Sequence, residues 1–361
     1  MRILYVINSL HMAGAEKLTL DLAKLGKSKN IVIDIYVLNN SDTNLKLEAK
    51  NNNINIFNCG TNSYRSIKHF FWLIKYKDKY DVIHSHLSYS QYYVALIRLL
   101  DKNKKLITTE HSTFNERRKY KIFKVIEKWL YSAYDNIVVI NNDNKASMIK
   151  WQSSISDKII VISNGIDVKK FINGKKERIN EGILIKNKKS QKILMVAAFR
   201  KEKNHEIIVN AMNKLDDNKV LILVGTGPEE YINNIKCLID KNGINSRVFL
   251  LGERTDVEDI MKCCDLFVLP SRWEGFGLVV AEAMASGLPV VASNVQGVRE
   301  VVGDCGLLFE NENIQDLIGK INRIFTMSKE ERKILTDMAR KRSLKYSIEN
   351  TFEKYLDLYK S

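Results

Sequence analysis

Short apolar segments alternate with amphipathic ones along almost the whole chain, and the alternation occurs twice. Strand-like runs fall at 2–9, 31–38, 54–58, 81–87, 105–110, 136–141 and 158–163 in the first half. Helical periodicity occupies 15–26, 66–77, 90–100, 117–133 and 143–151 between them. Parallel neighbours need a crossover long enough to hold a helix, so this pattern predicts a parallel sheet covered on both faces. Such a sheet binds ligands at the carboxyl ends of its strands. A second set places strands at 192–198, 220–225, 248–251, 265–270, 289–293 and 306–309. Its helices lie near 205–215, 229–242, 256–263, 276–286 and 313–325, and helical stretches at 328–342 and 347–360 close the chain. The expectation is an α/β protein with two doubly wound domains, 1–167 and 192–345. A polar, Lys-rich interdomain segment at 168–191 joins them, and a C-terminal helix in 346–361 packs back on the first domain.

The length of 361 residues suits two domains at roughly 150 residues each. The five cysteines, Cys59, Cys237, Cys263, Cys264 and Cys305, form no C-x-x-C pair, so neither a zinc pattern nor a disulfide framework is expected. Reduced thiols fit a cytoplasmic protein. The apolar start is interrupted by Asn8 and His11 and reads as a first strand, not a signal peptide. No apolar run approaches the ~20 residues that span a bilayer. A net charge of +15 admits nucleic acid, an anionic membrane or anionic small substrates as partners. Nucleic acid is set aside, because zinc-finger spacing, RNP-type aromatics and a basic region leading into heptads are all missing.

The segment from Pro270 to Ala283 carries the most chemistry. A strand ends at Pro270, a loop holds Glu274, Gly275 and Gly277, and a helix starts near Phe276. Glycines admit close approach of a ligand, and a helix N-terminus offers unpaired N–H groups to a phosphate. Glu274 and Glu282 flank that cradle and can accept hydrogen bonds from hydroxyls. The competing reading is a glycine turn with two solvated acids. A second cationic pair, Arg200 and Lys203, follows the first strand of the second domain, where it can neutralise a leaving group. Two decoys are set aside. Gly26-Lys27-Ser28 ends a helix instead of opening one, and the Gly225/Gly227 pair lacks a third glycine in register.

The E-x7-E arrangement around Gly275-Phe276-Gly277, followed by Glu282-Ala283-Met284-Ala285-Ser286-Gly287-Leu288-Pro289, resembles the retaining glycosyltransferases of family 4. Further matches follow in the family's order: Ala13-Gly14-Ala15-Glu16, Asp81-Val82-Ile83-His84-Ser85-His86, Thr109-Glu110-His111, Ser163-Asn164-Gly165-Ile166-Asp167, Val224-Gly225-Thr226-Gly227-Pro228 and Leu251-Gly252. The resemblance covers nearly the whole chain. It implies the GT-B fold, two Rossmann-like doubly wound parallel-sheet domains facing each other across a cleft. It assigns Glu282 to the ribose hydroxyls of a nucleotide-sugar donor and Glu274 to the transferred sugar. Gly275, Phe276, Gly277 and Leu278 match the backbone that contacts sugar and diphosphate. Gly14 matches the first strand-to-helix loop at the diphosphate, and His111 matches a histidine that faces the sugar. Lys203 matches cleanly. Where many members have Arg, this chain has Ala198, and Arg200 stands two residues later. Arg254 lies where the family's loop passes the nucleobase. His84 and His86 read as structural or acceptor-lining residues, since a metal would need a third ligand. No Asp-x-Asp pair occurs, so no metal or other cofactor is expected.

The positive charge has a candidate address at 116–135. There Arg117, Arg118, Lys119, Lys121, Lys124 and Lys128 accompany an apolar stripe of Ile122, Val125, Ile126, Trp129 and Ala133. A basic amphipathic helix with a Trp suits an anionic bilayer surface. A second patch at 64–80 holds Arg65, Lys68, Lys75, Lys77 and Lys79 among aromatics. The resulting expectation is a cytoplasmic enzyme, peripheral at the inner face of the membrane. It moves a sugar with retention to a lipid-linked saccharide in surface-polysaccharide assembly. Two other readings remain: a nucleotide-sugar epimerase of related fold, which needs no acceptor, and an inactive scaffold, which would have lost Glu274, Glu282 or Lys203.

Overall fold

The computed structural model describes residues 1–11, 13–111, 118, 120–176 and 190–361. They form two compact units, Met1–Gly165 with Ile348–Ser361, and Ile166–Ser347.

The first unit is built on β1 (Arg2–Ile7), β2 (Val32–Val37), β3 (Ile56–Phe57), β4 (Val82–His86), β5 (Lys105–Glu110), β6 (Asn136–Val139) and β7 (Ile159–Val161). Their order is β3-β2-β1-β4-β5-β6-β7, all parallel. Ile3 to Ile7 of β1 are fully buried, as a strand covered on both faces requires. Alternate residues divide between two cores. Ile3, Tyr5 and Ile7 pack with Leu18 and Leu22 of helix Gly14–Ser28 and with Phe352 and Tyr355. Leu4 and Val6 pack with Leu73, Val94 and Leu130 on the opposite face.

The C-terminal helix Ile348–Lys360 belongs to this first unit. Thr351 Oγ1 donates to the Ser163 carbonyl at 3.0 Å. Gly165 permits that approach, because a Cβ there would lie 2.5 Å from Thr351 Oγ1 and 2.7 Å from Ile348 Cα. The Asn164-Gly165 sequence is therefore where the chain leaves the first sheet beside the helix that later returns to it.

The second unit carries β8 (Gln191–Val196), β9 (Lys219–Val224), β10 (Val248–Gly252), β11 (Leu266–Leu269), β12 (Val290–Ser293) and β13 (Leu307–Phe309). The order is β10-β9-β8-β11-β12-β13, again parallel throughout. The 168–191 stretch differs from a plain connector. Val168–Ile172 is a short helix with Val168 and Phe171 buried, and the Lys175 amide donates to Asp259 Oδ1 at 2.6 Å. Those apolar anchors tie the stretch into the second unit, and 177–189 lie outside the described residues. Among the described residues no helix is long and apolar enough to cross a membrane.

The return helix is expected to hold the first unit together. Phe352 is fully buried, so Phe352→Ala should destabilise that unit by about 3–5 kcal/mol. Urea unfolding followed by tryptophan fluorescence checks this, and a midpoint equal to the wild type's would mean the helix packs without contributing.

Candidate active site

In each sheet the strand order reverses next to the unit's first strand, between β1 and β4 and between β8 and β11. Loops diverge on either side of such a switch point and leave a crevice at the strand carboxyl ends. Most of the candidate residues sit in these loops.

In the second unit, Lys203 follows β8 and Glu274 follows β11. Lys203 Nζ donates to Glu274 Oε1 at 2.6 Å, and Ser271 Oγ donates to the same oxygen at 2.9 Å. The pair thus spans the switch point. Lys203 closes a short 3-10 turn, Lys201–Lys203, and Asn204 after it is left-handed at φ 55°. That turn aims Lys203 back over the sheet. Arg200, one residue before the turn, is mostly exposed, and among the described residues its side chain reaches Glu202, at 4.0 Å. The structure therefore brings Lys203 to Glu274 and leaves Arg200 apart. Ser271 is a partner that no sequence pattern singles out.

Helix Leu278–Ser286 is capped by Gly277 at φ 79°, a conformation that favours glycine. Phe276 is buried edge-on against Tyr346, with ring centroids 5.4 Å apart, so its ring is packed away. Glu282 is half-buried one turn into the helix. The Gly275–Leu278 backbone, the helix N-terminus and two carboxylates are therefore contiguous along one short stretch of chain. Arg254, just past β10, is held by Asp256 through two hydrogen bonds, Nε to Oδ1 at 2.9 Å and a terminal nitrogen to Oδ2 at 2.8 Å. That hydrogen bonding keeps the Asp256 carboxyl below its usual range. Arg254, which the resemblance puts by the nucleobase, finds its carboxylate partner two positions on.

In the first unit, Gly14 opens helix Gly14–Ser28, the element that follows β1, and is exposed. His111 follows β5, and its Nε2 lies 3.1 Å from His86 Nδ1 at the end of β4. His84 faces the interior instead. Its Nδ1 meets the Tyr359 hydroxyl at 2.7 Å and its Nε2 meets Thr109 Oγ1 at 2.8 Å. The Tyr5 hydroxyl lies 3.0 Å from that of Tyr359, and the Tyr355 hydroxyl lies 3.1 Å from Thr109 Oγ1. The sequence showed no third partner near His84 and His86; the fold supplies His111. Both His84 nitrogens are taken by hydroxyls, and His86 is bonded to His111. Among the described residues no group of three or more metal-ligating side chains is gathered.

The basic helix is Ile122–Ser132. Ile122, Val125, Ile126 and Trp129 are exposed, Val125 at 68%. Lys121, Lys124 and Lys128 are exposed beside them. Its one acid, Glu127, is buried and takes the Trp151 Nε1 hydrogen bond at 2.9 Å. Two details differ from the sequence reading. Ala133 is buried, and Arg118 is drawn inward to Glu127, Nε to Oε2 3.6 Å, because the buried carboxylate requires a countercharge. Arg117 and Lys119 lie outside the described residues. In the 64–80 patch, Tyr80 is buried and Trp72 stacks on Tyr36 at 4.2 Å, while Phe71 is exposed.

Two Rossmann-like units with chemistry-bearing loops at their switch points define an enzyme of the GT-B class. Residues 12–170 match the family described as Glycosyltransferase Family 4, and residues 176–342 match Glycosyl transferases group 1. An Escherichia coli protein named UDP-Gal:alpha-D-GlcNAc-diphosphoundecaprenol alpha-1,3-galactosyltransferase is 31% identical over 273 residues, 72% of this chain and 70% of that one. The Escherichia coli O-antigen biosynthesis glycosyltransferase WclY is 26% identical over 339 residues, 89% of this chain and 88% of that one. The crystal structure of HepE from Anabaena in complex with UDP and glucose superposes with a TM-score of 0.88 at 20% identity, covering 99% of each chain. This chain belongs to the family-4 glycosyltransferases.

Burial sets the charge state of the histidines. It lowers the His111 pKa to about 4 and that of His205 to about 3, with Lys203 adding to the latter. It drives His84 and His86 well below the usual value. Between the folded value and the unfolded value of about 6.5, the unfolded chain binds more protons, so stability rises with pH. These imidazoles should therefore cost nothing above about pH 6.5 and weaken the fold progressively as pH falls toward about 4. Urea midpoints measured across that window check it; a midpoint that rises on acidification contradicts the buried-neutral assignment.

Proposed function

We propose that this glycosyltransferase moves one sugar, with retention, from a nucleotide diphosphate sugar to a hydroxyl of a lipid-linked saccharide in surface-polysaccharide assembly. The observation that carries the proposal is the Lys203–Glu274 pair across the β8/β11 switch point. It holds a cation and a carboxylate within one hydrogen bond, next to a glycine-capped helix N-terminus. A diphosphate takes the cation and the helix amides, and the sugar it carries takes the carboxylate. Glu282 takes the ribose hydroxyls and Arg254 the base or phosphate. Arg200 is the second cation assigned to the diphosphate. From the first unit, Gly14 is assigned to the diphosphate and His111 to the sugar.

Glu274 is already engaged by Lys203 and Ser271, which suits a group that binds the sugar and not a free nucleophile. Retention then proceeds on one face. The leaving diphosphate accepts the proton of the attacking hydroxyl while Lys203 and the amides stabilise its growing charge. In this reading they do the work that a divalent ion does elsewhere, and no metal is needed. The acceptor class is supported by the names of relatives, one acting on a diphosphoundecaprenol-linked sugar and one in O-antigen biosynthesis.

In this reading the helix Ile122–Ser132 meets an anionic membrane surface, and the enzyme works peripherally at the inner face of the cell membrane. Four apolar side chains and three lysines are exposed there, and no acid is. Each cation contributes up to about 1 kcal/mol near such a surface, fading with salt.

A melting panel that includes UDP-galactose and UDP-glucose identifies the donor, since a bound ligand raises stability by mass action. With that donor, Glu282→Ala should weaken binding by about 1–3 kcal/mol in calorimetry; unchanged affinity in a folded variant removes the ribose role. Lys203→Ala should lower turnover by ~100-fold or more, and wild-type turnover should persist in EDTA. Collapse with chelator and recovery with manganese would overturn the metal-free reading. Replacing Lys121, Lys124 and Lys128 together by Glu should abolish sedimentation with phosphatidylglycerol vesicles at low salt while donor binding persists. Vesicle binding that survives this change would move the membrane contact elsewhere.

A further inference from the structure

His86 and His111 form a pair whose protons are not independent. His86 is fully buried at the end of β4, packed edge-on against Tyr5 with ring centroids 5.0 Å apart and beside His84 at 4.2 Å. Among the described residues the partner of its ring is His111 Nε2, 3.1 Å from His86 Nδ1. The outer nitrogens, His86 Nε2 and His111 Nδ1, are buried and have no hydrogen-bond partner among the described residues. A neutral imidazole carries one N–H and one acceptor nitrogen. If His86 Nδ1–H donates, His111 accepts at Nε2 and its proton stands on Nδ1. If His111 Nε2–H donates, His86 accepts at Nδ1 and its proton stands on Nε2. The two rings therefore always share one tautomer, both Nδ1–H or both Nε2–H. The outer nitrogen of His111 is a donor in the first state and an acceptor in the second.

We propose that His86 is a positioning residue for His111: it fixes the ring through the shared hydrogen bond and couples the tautomers, so that His111 Nδ1 presents itself to a sugar as donor or acceptor without a change in charge. A hydroxyl can meet either form, whereas a ring oxygen meets only the donor. The coupling stands on the geometry of the pair, and its value in catalysis rests on the assignment of His111 to the transferred sugar. His84 offers no nitrogen to a ligand, because hydroxyls occupy both.

The test uses the full chain labelled with 15N-histidine, whose six imidazoles can be assigned by single substitution. In wild type at neutral pH, long-range 1H–15N spectra should show His86 and His111 neutral and in the same tautomer. His86→Asn keeps a polar atom near the Nδ1 position and should preserve the His111 tautomer ratio. His86→Gln moves the amide toward the Nε2 position and should change that ratio by roughly two- to tenfold, the equivalent of one net hydrogen bond. Opposite tautomers in wild type, or a His111 spectrum identical in His86→Gln, overturns the coupling. Turnover with the donor selected by melting separates the parent reading. The proposal expects His86→Gln to lower kcat with KM little changed, His86→Asn to restore it, and neither to matter further in a His111→Ala background. An equal loss from His86→Gln in both backgrounds makes its effect structural and overturns positioning. Wild-type turnover in His111→Ala itself removes the sugar role of His111, leaving the spectroscopic coupling as a separate result.

Discussion

Everything chemical in this protein is arranged by a topological constraint. A right-twisted strand feeding a helix packs back on its sheet only as a right-handed crossover. A sheet that starts in its middle must therefore reverse its strand order beside the first strand. Both sheets do so, at β1/β4 and at β8/β11. The loops beside those points bring together residues distant in sequence, such as Lys203 with Glu274, separated by 71 positions, and His86 with His111, separated by 25. Neither pairing exists in local structure.

The same burial that stabilises the strands determines the electrostatics of the candidate residues. The His cluster sits where the apolar strands end, so desolvation keeps its imidazoles neutral and turns them into hydrogen-bonding groups. In the second unit the candidate cation and carboxylate lie at the sheet's open end. Each is the other's ion-pair partner there. Arg118 and Glu127 show the contrary case, in which a carboxylate buried inside a helix layer draws an arginine away from the surface. An overall charge of +15 is thus no measure of which cations are available.

Strand–helix alternation was legible from periodicity alone, since a strand buried on both faces reads as an apolar run and a covering helix as an amphipathic one. β1, β8 and β9 are clear in this way. The glycine-capped helix after β11 was legible because Gly277 and the acids around it are contiguous. The helical character of Val168–Ile172 was not legible, because a five-residue helix is too short to display periodicity and is stabilised by Val168 and Phe171 packing in the second unit. Ser271 and Asp256 were missed as partners since each acts through a side-chain hydrogen bond that composition does not encode.

The sequence by itself determined which segments are strands and helices, where the glycine cradle lies, and which acids and bases stand next to it, because each is written in local spacing. It also carried the family, through short motifs in a fixed order. Only the tertiary structure decided between Arg200 and Lys203 as the partner of Glu274, gave His86 and His111 to each other, and turned Arg118 inward while leaving Lys121, Lys124 and Lys128 outside. Those outcomes depend on parallel strand register, the direction in which a short turn aims a side chain, and the cost of an unpaired buried charge. None of these is a property of neighbouring residues in the chain.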